Sequence, residues 1–440
     1  MHALWLETES GQHHLWGAGA AQVVKAVQRF TKTCPEGGAL EQVAVRLEGL
    51  PGDLLAWLQL LERALERIGR EETLLALQPA AGEEVWRAWL EQGWLNLAAE
   101  GGDERSAGWM QVKIHFMRPG CWEGEEREMP LSNANGQRVL GGLTIWNHAD
   151  GHNGHTPVVA IAGADVAGGW PAPVRLVIHN DLDSACTVGT LRIARQTCLQ
   201  APLVLEGEAA MVEDGAGGEI VSESGSSQGA HLRLVVPAGG EAAVLRWELP
   251  GTLLEGFTAG SMLPVLRLAE SVEGSGLLQA AVKISVGKQS VVSAGQTGWR
   301  LLKRGEEMHD LAAFHLPSPA GYSLLPDFNL HLLVQSINGK AFTLDVDYLA
   351  VLQGGCSQRL EAWYELGEGW ELHAGGARGD ACGWHAEKGW LRGHTAAGAA
   401  LTLLPGLDQY LLILNSAQRG ALPADRFRVQ VFYRPRMQEV

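Results

Sequence analysis

Short runs that alternate apolar and polar residues, broken by Gly, Pro, Asn and Asp, fill most of this sequence. Alternation puts every second side chain on one face of a strand, whereas a helix would scatter the same apolar residues around its surface. Val174–His179, His231–Val236, Ala243–Leu249, Leu278–Val286 and Leu330–Ser336 are clear examples. The pattern predicts a mainly β chain with β-sandwich, jelly-roll-like domains. One stretch has a different period. Leu54, Leu58, Leu61, Leu65 and Ile68 recur at spacings of three and four, with Trp57 beside them and Glu62, Arg63, Glu66 and Arg67 opposite. Pro51-Gly52-Asp53 offers a turn and an N-cap and Gly69 a stop, so a helix is expected over 53–69. Set between the alternating runs Gln42–Glu48 and Gln111–Met117, it implies an N-terminal α+β barrel-like domain over 1–134.

Arg118-Pro119-Gly120-Cys121-Trp122-Glu123-Gly124 closes that domain, because Pro and two Gly cannot continue a central strand. Further on, Asp214–Gly229 is rich in Gly and Ser, and Gly354-Gly355 reads as a second junction. Residues 204–353 are therefore expected to form one sandwich inserted into a β domain made of 135–203 and 354–440. Asn338-Gly339, between Leu330–Ile337 and Ala341–Leu352, predicts a two-strand hairpin closed by a type I′ turn.

Charge narrows the function. Lys plus Arg is 34 against 50 for Asp plus Glu, a formal net charge of −16, and no basic run offsets it, which argues against nucleic-acid binding. No run approaches the roughly 18–20 apolar residues of a membrane helix. Glu7 and Glu9 stand where a signal peptide would carry basic residues, so synthesis in a cytoplasm is expected. Cys34, Cys121, Cys186, Cys198, Cys356 and Cys382 form no C-x-x-C pair and read as reduced, buried thiols, Cys186 with Cys198 being the one spacing suited to a cross-strand bridge. A P-loop, a dinucleotide fingerprint and an H-E-x-x-H are all missing, and the one G-x-S-x-G spacing, Gly225–Gly229, falls in the Gly/Ser-rich stretch with no strand-to-helix pattern to make it an elbow.

Trp outnumbers the other aromatics, 16 against 8 Phe and 5 Tyr, which turns attention to flat contact surfaces. Trp299, Trp370, Trp384 and Trp390 each follow a Gly and are the candidate glycan or partner contacts, with core packing as the plainer role. His148, Asp150, His152 and His155 crowd into one Gly-rich loop whose imidazoles and carboxylate would suit zinc or another transition metal, although such loops also collect these residues for turn geometry. Glu123, Glu125, Glu126 and Glu128 lie too close in sequence to face one another across a glycosidic bond and read as a solvated face. Asp345 and Asp347 share one face of an alternating strand, a position that in jelly rolls can touch a calcium ion or a sugar and that a solvent-facing strand explains equally well. No other cofactor is implied.

The phrases Met117-Arg118-Pro119-Gly120-Cys121-Trp122-Glu123-Gly124 and Glu128-Met129-Pro130-Leu131-Ser132-Asn133 resemble the end of the first domain of phage distal-tail-like proteins, with its "R-P-x-x-W-x-G" and "L-x-N" steps. Gly142–His148, Pro171–Leu176, Leu404-Pro405-Gly406 and Val431–Arg436 are similar to tail-associated proteins, and Phe342–Leu349 resembles the last strand of galactose-binding-like jelly rolls. The resemblance implies a tail-tube-like assembly domain that forms a ring of identical copies. It also implies tail, tube and baseplate partners, a place in the virion or a phage-like particle, an inserted carbohydrate-binding-like module with a surface glycan as a further ligand, and no catalysis. A free carbohydrate-binding adhesin and a metal-dependent hydrolase built on the His148–His155 loop are the alternatives.

Overall fold

The computed structural model describes residues 1–33, 38–97, 108–133, 136–147, 156–180, 186–197, 204–213, 216–251, 261–270, 272, 277–286, 292–315, 327–366, 369–375, 380–394, 396–416 and 426–439. The chain is mainly β, with one α-helix among the described residues. It divides into two compact units. The first comprises Met1–Arg127, Ala167–Ala172 and Arg434–Val440, so it takes in two segments that sequence reasoning gave to the sandwich and stops short of residue 134.

In the first unit, β1 (Ala3–Thr8), β2 (Gly11–Trp16), β5 (Leu74–Gln78), β6 (Trp86–Trp89) and β9 (Trp122–Glu123) join Arg436–Met437 in one sheet. A second sheet has the order β3 (Val24–Thr33), β4 (Ala39–Glu48), β8 (Trp109–Arg118), β7 (Gln92–Leu97). One core serves both, drawing Leu4 and Leu6 from β1, Val43 and Val45 from β4, and Val112, Ile114 and Phe116 from β8. Helix α1 (Pro51–Leu65) adds Leu54, Trp57, Leu58, Leu61 and Leu65 to the same core. It starts two residues before the expected 53–69 because Leu50 is the N-cap and Pro51 takes the first turn, where its missing N–H costs nothing; Asp53 is a first-turn acid and not the cap. It stops at Leu65, where bonding tightens from i−4 to i−3 (Arg67 N to Ala64 O, 3.3 Å; Ile68 N to Leu65 O, 3.2 Å). Gly93 of β7 makes room for this end of the helix, since a Cβ there would stand 2.5 Å from the Ile68 side chain.

The closing phrase of the first unit is a buried electrostatic pin. Arg118, 1% exposed, donates from Nε to Glu41 Oε1 (2.8 Å) and from its two Nη atoms to the carbonyls of Gly120 and Gln438 (2.6 Å each). Arg29 donates to the other Glu41 oxygen at 2.9 Å, and Thr31 Oγ1 to the same oxygen at 2.8 Å. Trp122, fully buried, carries the Arg29 and Arg118 guanidinium groups 4.9 and 5.5 Å from its ring centre. Burial alone would raise the Glu41 carboxyl, but Arg29 and Arg118 hold it below the usual range. Of the expected acidic run, Glu123 pairs with Arg436, so it is engaged within this unit and not merely solvated.

The second unit, Glu128–Val166 with Pro173–Tyr433, contains four sheets. The first runs in the order Arg426–Tyr433, Ala172–His179, Trp370–Gly375, Asp380–His385, Gly389–His394. The second centres on Val158–Ile161, Gln409–Ser416, Cys186–Gln196 and Ser357–Leu366. Asn147 and Asn415 tie these two together, amide to backbone in both directions (2.7 and 2.8 Å). The third sheet (Gly217–Ser222, Ala230–Val236, Phe342–Gln353, Ser261–Leu268, Met308–Asp310) and the fourth (Met211–Val212, Ala242–Leu249, Phe328–Ser336, Leu278–Val286, Val292–Gln296) draw every strand from 204–353 and enclose one core. A smaller core joins the second sheet to the third, with Ala194, Leu412 and Leu414 against Val265, Tyr348, Ala350 and Leu352. Arg192 with Asp310, and Gln196 Nε2 with Val351 O (2.9 Å), cross the same boundary.

Two expectations fail here. Asn338-Gly339 does not close a hairpin: Phe328–Ser336 pairs with Ala242–Leu249 and Leu278–Val286, while Phe342–Gln353 pairs in the facing sheet. Gly339 does adopt the left-handed φ of +69°, but the turn carries the chain between sheets, where each strand finds better-matched partners. Asp345 and Asp347 do not share a solvent face. The pairing of Ser261–Leu268 with Phe342–Gln353 skips Asp347, Arg267 facing Tyr348 and Leu268 facing Val346, so Asp347 is the extra residue of a β-bulge. It is fully buried, paired with Arg267 and accepting from Ser227 N at 2.7 Å, whereas Asp345 lies part-buried with Arg233 Nε at 2.8 Å. Glu206 joins the buried cluster through Ser227 Oγ (2.9 Å), and burial raises its carboxyl to about 7. The Cys121, Cys356 and Cys382 thiols are half-buried and unbridged; the Cys186–Cys198 pair falls outside the described side chains.

Two stability predictions follow from these clusters. Glu41→Ala strands the Arg118 charge in the core and should cost the first unit about 3–5 kcal/mol, read as an earlier transition in urea unfolding. For Glu206, a folded pKa raised from 4.5 to about 7 means that the fold favours the protonated carboxyl. Its stabilisation is full below 4.5 and drains away as pH rises to about 7. Glu206→Gln should keep the Ser227 bond, abolish that pH dependence, and raise stability at pH ~8 by about 1–3 kcal/mol relative to the parent chain, measured as melting temperature against pH.

Candidate functional site

The first sheet of the second unit buries one face through Val174, Leu176, Ile178, Leu372, Ala374, Val429 and Val431. Alternation therefore turns Arg175, His179, Glu371, His373, Gln430 and Phe432 to its other face. Strand register brings them together from three distant stretches of chain: His179 lies opposite Glu371 on one side and Arg428 on the other, and Arg175 opposite Phe432. Trp384 faces Glu371 across the next pair, and Trp390 faces Trp384 across the one after.

A row of polar side chains in mutual contact crosses this face. Arg175 Nη1 donates to His373 Nδ1 at 2.9 Å, and His373 Nε2 donates to Glu371 Oε2 at 2.9 Å. That order fixes His373 as the neutral Nε2–H tautomer. Burial holds its pKa below the usual histidine range, against the opposing pull of Glu371. Glu371 Oε1 lies 3.4 Å from His179 Nδ1, and His179 Nε2 donates to Gln430 Oε1 at 2.6 Å. Gln430 in turn donates from Nε2 to Glu128 Oε1 (3.0 Å), which also accepts from Gly141 N (2.7 Å). His179 thus stands between Glu371 Oε1 and Gln430 Oε1. The Arg175 guanidinium lies over Phe432, 4.5 Å from its ring centre. Beside this row Trp390 sets its ring edge-to-face with His373 (4.8 Å), and Trp384 lies 6.4 Å from Trp390. Trp390 is 59% exposed.

Of the four tryptophans singled out from sequence, Trp384 and Trp390 belong to this face. Trp370 lies on the opposite face of the same sheet, half-buried, 4.9 Å from His385 with Lys388 over its ring at 5.4 Å. Trp299 is half-buried beside Arg300–Leu301, a strand of the fourth sheet, and joins none of the others. His148, Asp150, His152 and His155 lie outside the described residues. Among the described residues no group of three or more His, Cys, Asp or Glu is placed to hold a metal ion. Arg175, His179, Glu371, His373 and Gln430 were missed by sequence reasoning; outward positions in alternating strands were the available signal, but their pairing spans nearly 200 residues between Arg175 and His373.

No family model matches the sequence, and no curated protein matches it. Among solved structures the chain is similar to the Dit (gp 19.1) protein of phage SPP1, described as a paradigm of the hub adsorption apparatus in phages infecting Gram-positive bacteria, at 7% identity and TM-score 0.33 over 98% of both chains. It is also similar to a carbohydrate-binding module of the β-sandwich superfamily, described for its promiscuous specificity, at 11% identity and TM-score 0.24 over 75% of this chain and 99% of that one.

Proposed function

We propose that this chain is a non-catalytic structural component of a phage tail or phage-derived particle, of distal-tail or baseplate type. In this reading the first unit makes the contacts between identical copies in a ring, and the second carries a binding face for a neighbouring tail protein or a surface glycan. The module over 204–353 is read as an inserted galactose-binding-like jelly roll. The particle assembles in the bacterial cytoplasm and the protein ends in the virion.

The observation that carries the reading is strand β3. It is ten residues long, sits at the edge of its sheet with β4 as its one strand partner among the described residues, and has no buried position. Phe30 on it is 56% exposed. Soluble proteins normally shorten, bulge or cover such an edge, because its unpaired N–H and C=O groups recruit other strands. Here the one irregularity lies at the start of the strand, where Lys25 is the extra residue between Val24 and Ala26; the regular stretch Ala26–Thr33 suits controlled strand addition by another chain, with Lys25 and Lys32 guarding against indiscriminate pairing. The distal-tail-like phrase around Arg118 and Trp122 supports the tail setting. Ring assembly also gives weak single-site binding a purpose, because several copies on one particle raise the effective concentration.

Light scattering and negative-stain microscopy test this directly. The purified chain, alone or with its tail partners, should form closed oligomers, and Phe30→Asp should leave monomers with an unchanged melting temperature. A parent chain that stays monomeric at high concentration, with and without those partners, would sink the proposal.

A further inference from the structure

We propose that the outer face formed by Arg175, His179, Glu371, His373, Trp384 and Trp390 binds one uncharged pyranose ring of a glycan; this rests on the reading of the chain as a binding component and names the ligand class of its face. Trp390 supplies the platform. A pyranose presents an apolar face of axial C–H groups, and an indole 59% exposed and braced edge-to-face by His373 offers matching area at low conformational cost.

The polar row supplies the edge contacts. Hydroxyl groups around a sugar ring each donate and accept, so they need a partner set in which donors and acceptors alternate. Here they do: guanidinium, imidazole, carboxylate, imidazole and amide follow one another across three strands, each oriented by its neighbour. A carboxylate offers about four lone-pair positions, and His373 and His179 face two on Glu371. Because these side chains already hold one another, little rotamer freedom is lost when a sugar arrives.

Charge decides between neutral and acidic sugars. The guanidinium of Arg175 is committed to His373 and to the face of Phe432, while Glu371 and Glu128 place two carboxylates in the same row. A sugar carboxylate would meet like charge from both, while the neighbouring guanidinium groups of Arg175 and Arg428 already donate to His373 and to Gly141 O, so uncharged pyranoses fit best. A peptide ligand would be expected to pair with the backbone groups of a strand edge, whereas the groups offered here are side chains on a sheet face.

The test titrates the full-length chain with the methyl pyranosides of glucose, galactose, mannose and N-acetylglucosamine, and with N-acetylneuraminic acid, by saturation-transfer NMR and tryptophan fluorescence. At least one neutral sugar should bind with Kd on the order of 1 mM. Trp390→Ala, an exposed position whose loss should leave the melting temperature unchanged, and Glu371→Gln should each weaken it about tenfold or more, while Trp299→Ala should not. Failure of all four neutral sugars to bind, binding untouched by Trp390→Ala, or tighter binding of N-acetylneuraminic acid would each overturn the proposal. Repeating the titration on Phe30→Asp separates the two readings, because loss of assembly leaves this face intact and loss of sugar binding leaves assembly intact.

Discussion

The buried contact between Asp347 and Arg267 holds together the sheet stack of the second unit. Phe342–Gln353 has to serve two cores. Leu344, Val346, Leu349 and Val351 enter the core between the third and fourth sheets, while Tyr348, Ala350 and Leu352 enter the core against the second. Strict alternation would put residues 344, 346, 348 and 350 on one side, so one residue must be skipped for both sets to be apolar. Asp347 is that residue. A bulge at this depth leaves a side chain with nowhere to go but the interior, and a lone carboxylate there would be intolerable. Arg267 and the Ser227 amide neutralise it, and Gly207 lets the chain pass, since a Cβ there would stand 2.2 Å from Val346 O. Tyr348, next in line, reaches across with its hydroxyl to Asn147 O at 2.6 Å, linking the bulge to the Asn147–Asn415 lock between the first two sheets.

The first unit solves its closure with the same kind of chemistry. Arg118 ends a strand that is buried on alternate positions as far as Met117, and its own side chain occupies the next buried slot. A guanidinium there is tolerable only because one carboxylate and two carbonyls meet its donors. This gives the distal-tail-like phrase a physical meaning. The Arg is the pin, the Pro and Gly end the strand, and the Trp is the flat surface between two guanidinium groups. The final Gly lets its N–H reach Pro435 O at 2.8 Å.

What was legible in the sequence is what depends on one segment at a time. The period of Leu54–Leu65 and the alternation of Val112, Ile114 and Phe116 are local, and the burial pattern follows them. Asn338-Gly339 failed for the opposite reason: its left-handed glycine is local and correct, but which strands pair is decided by the cores on either side. Asp347 was misread because a bulge leaves no composition signal, and parity counted from Leu344 is right until the skipped residue. The row on the outer face stayed hidden because it joins residues from near 175, 371 and 430, each unremarkable in its own strand. Tryptophan frequency pointed to Trp384 and Trp390 but could not separate them from Trp370, which is one position out of phase.

The geometry of that row also bears on whether the face would turn a substrate over. Acid–base cleavage of a glycosidic bond needs two carboxyl groups facing each other across the bond, roughly 5–10 Å apart. Glu371 has no such opposite number along the row: His373 donates to it, His179 lies 3.4 Å away, and the next carboxylate, Glu128, is reached only through His179 and Gln430. A general base must also be able to take a proton, yet the His373 Nδ1 lone pair is already occupied by Arg175. The groups of the row hold one another's orientation across three strands and leave further lone-pair positions on Glu371. Mutual orientation of this kind suits recognition, where a fixed pattern of donors and acceptors is the whole requirement.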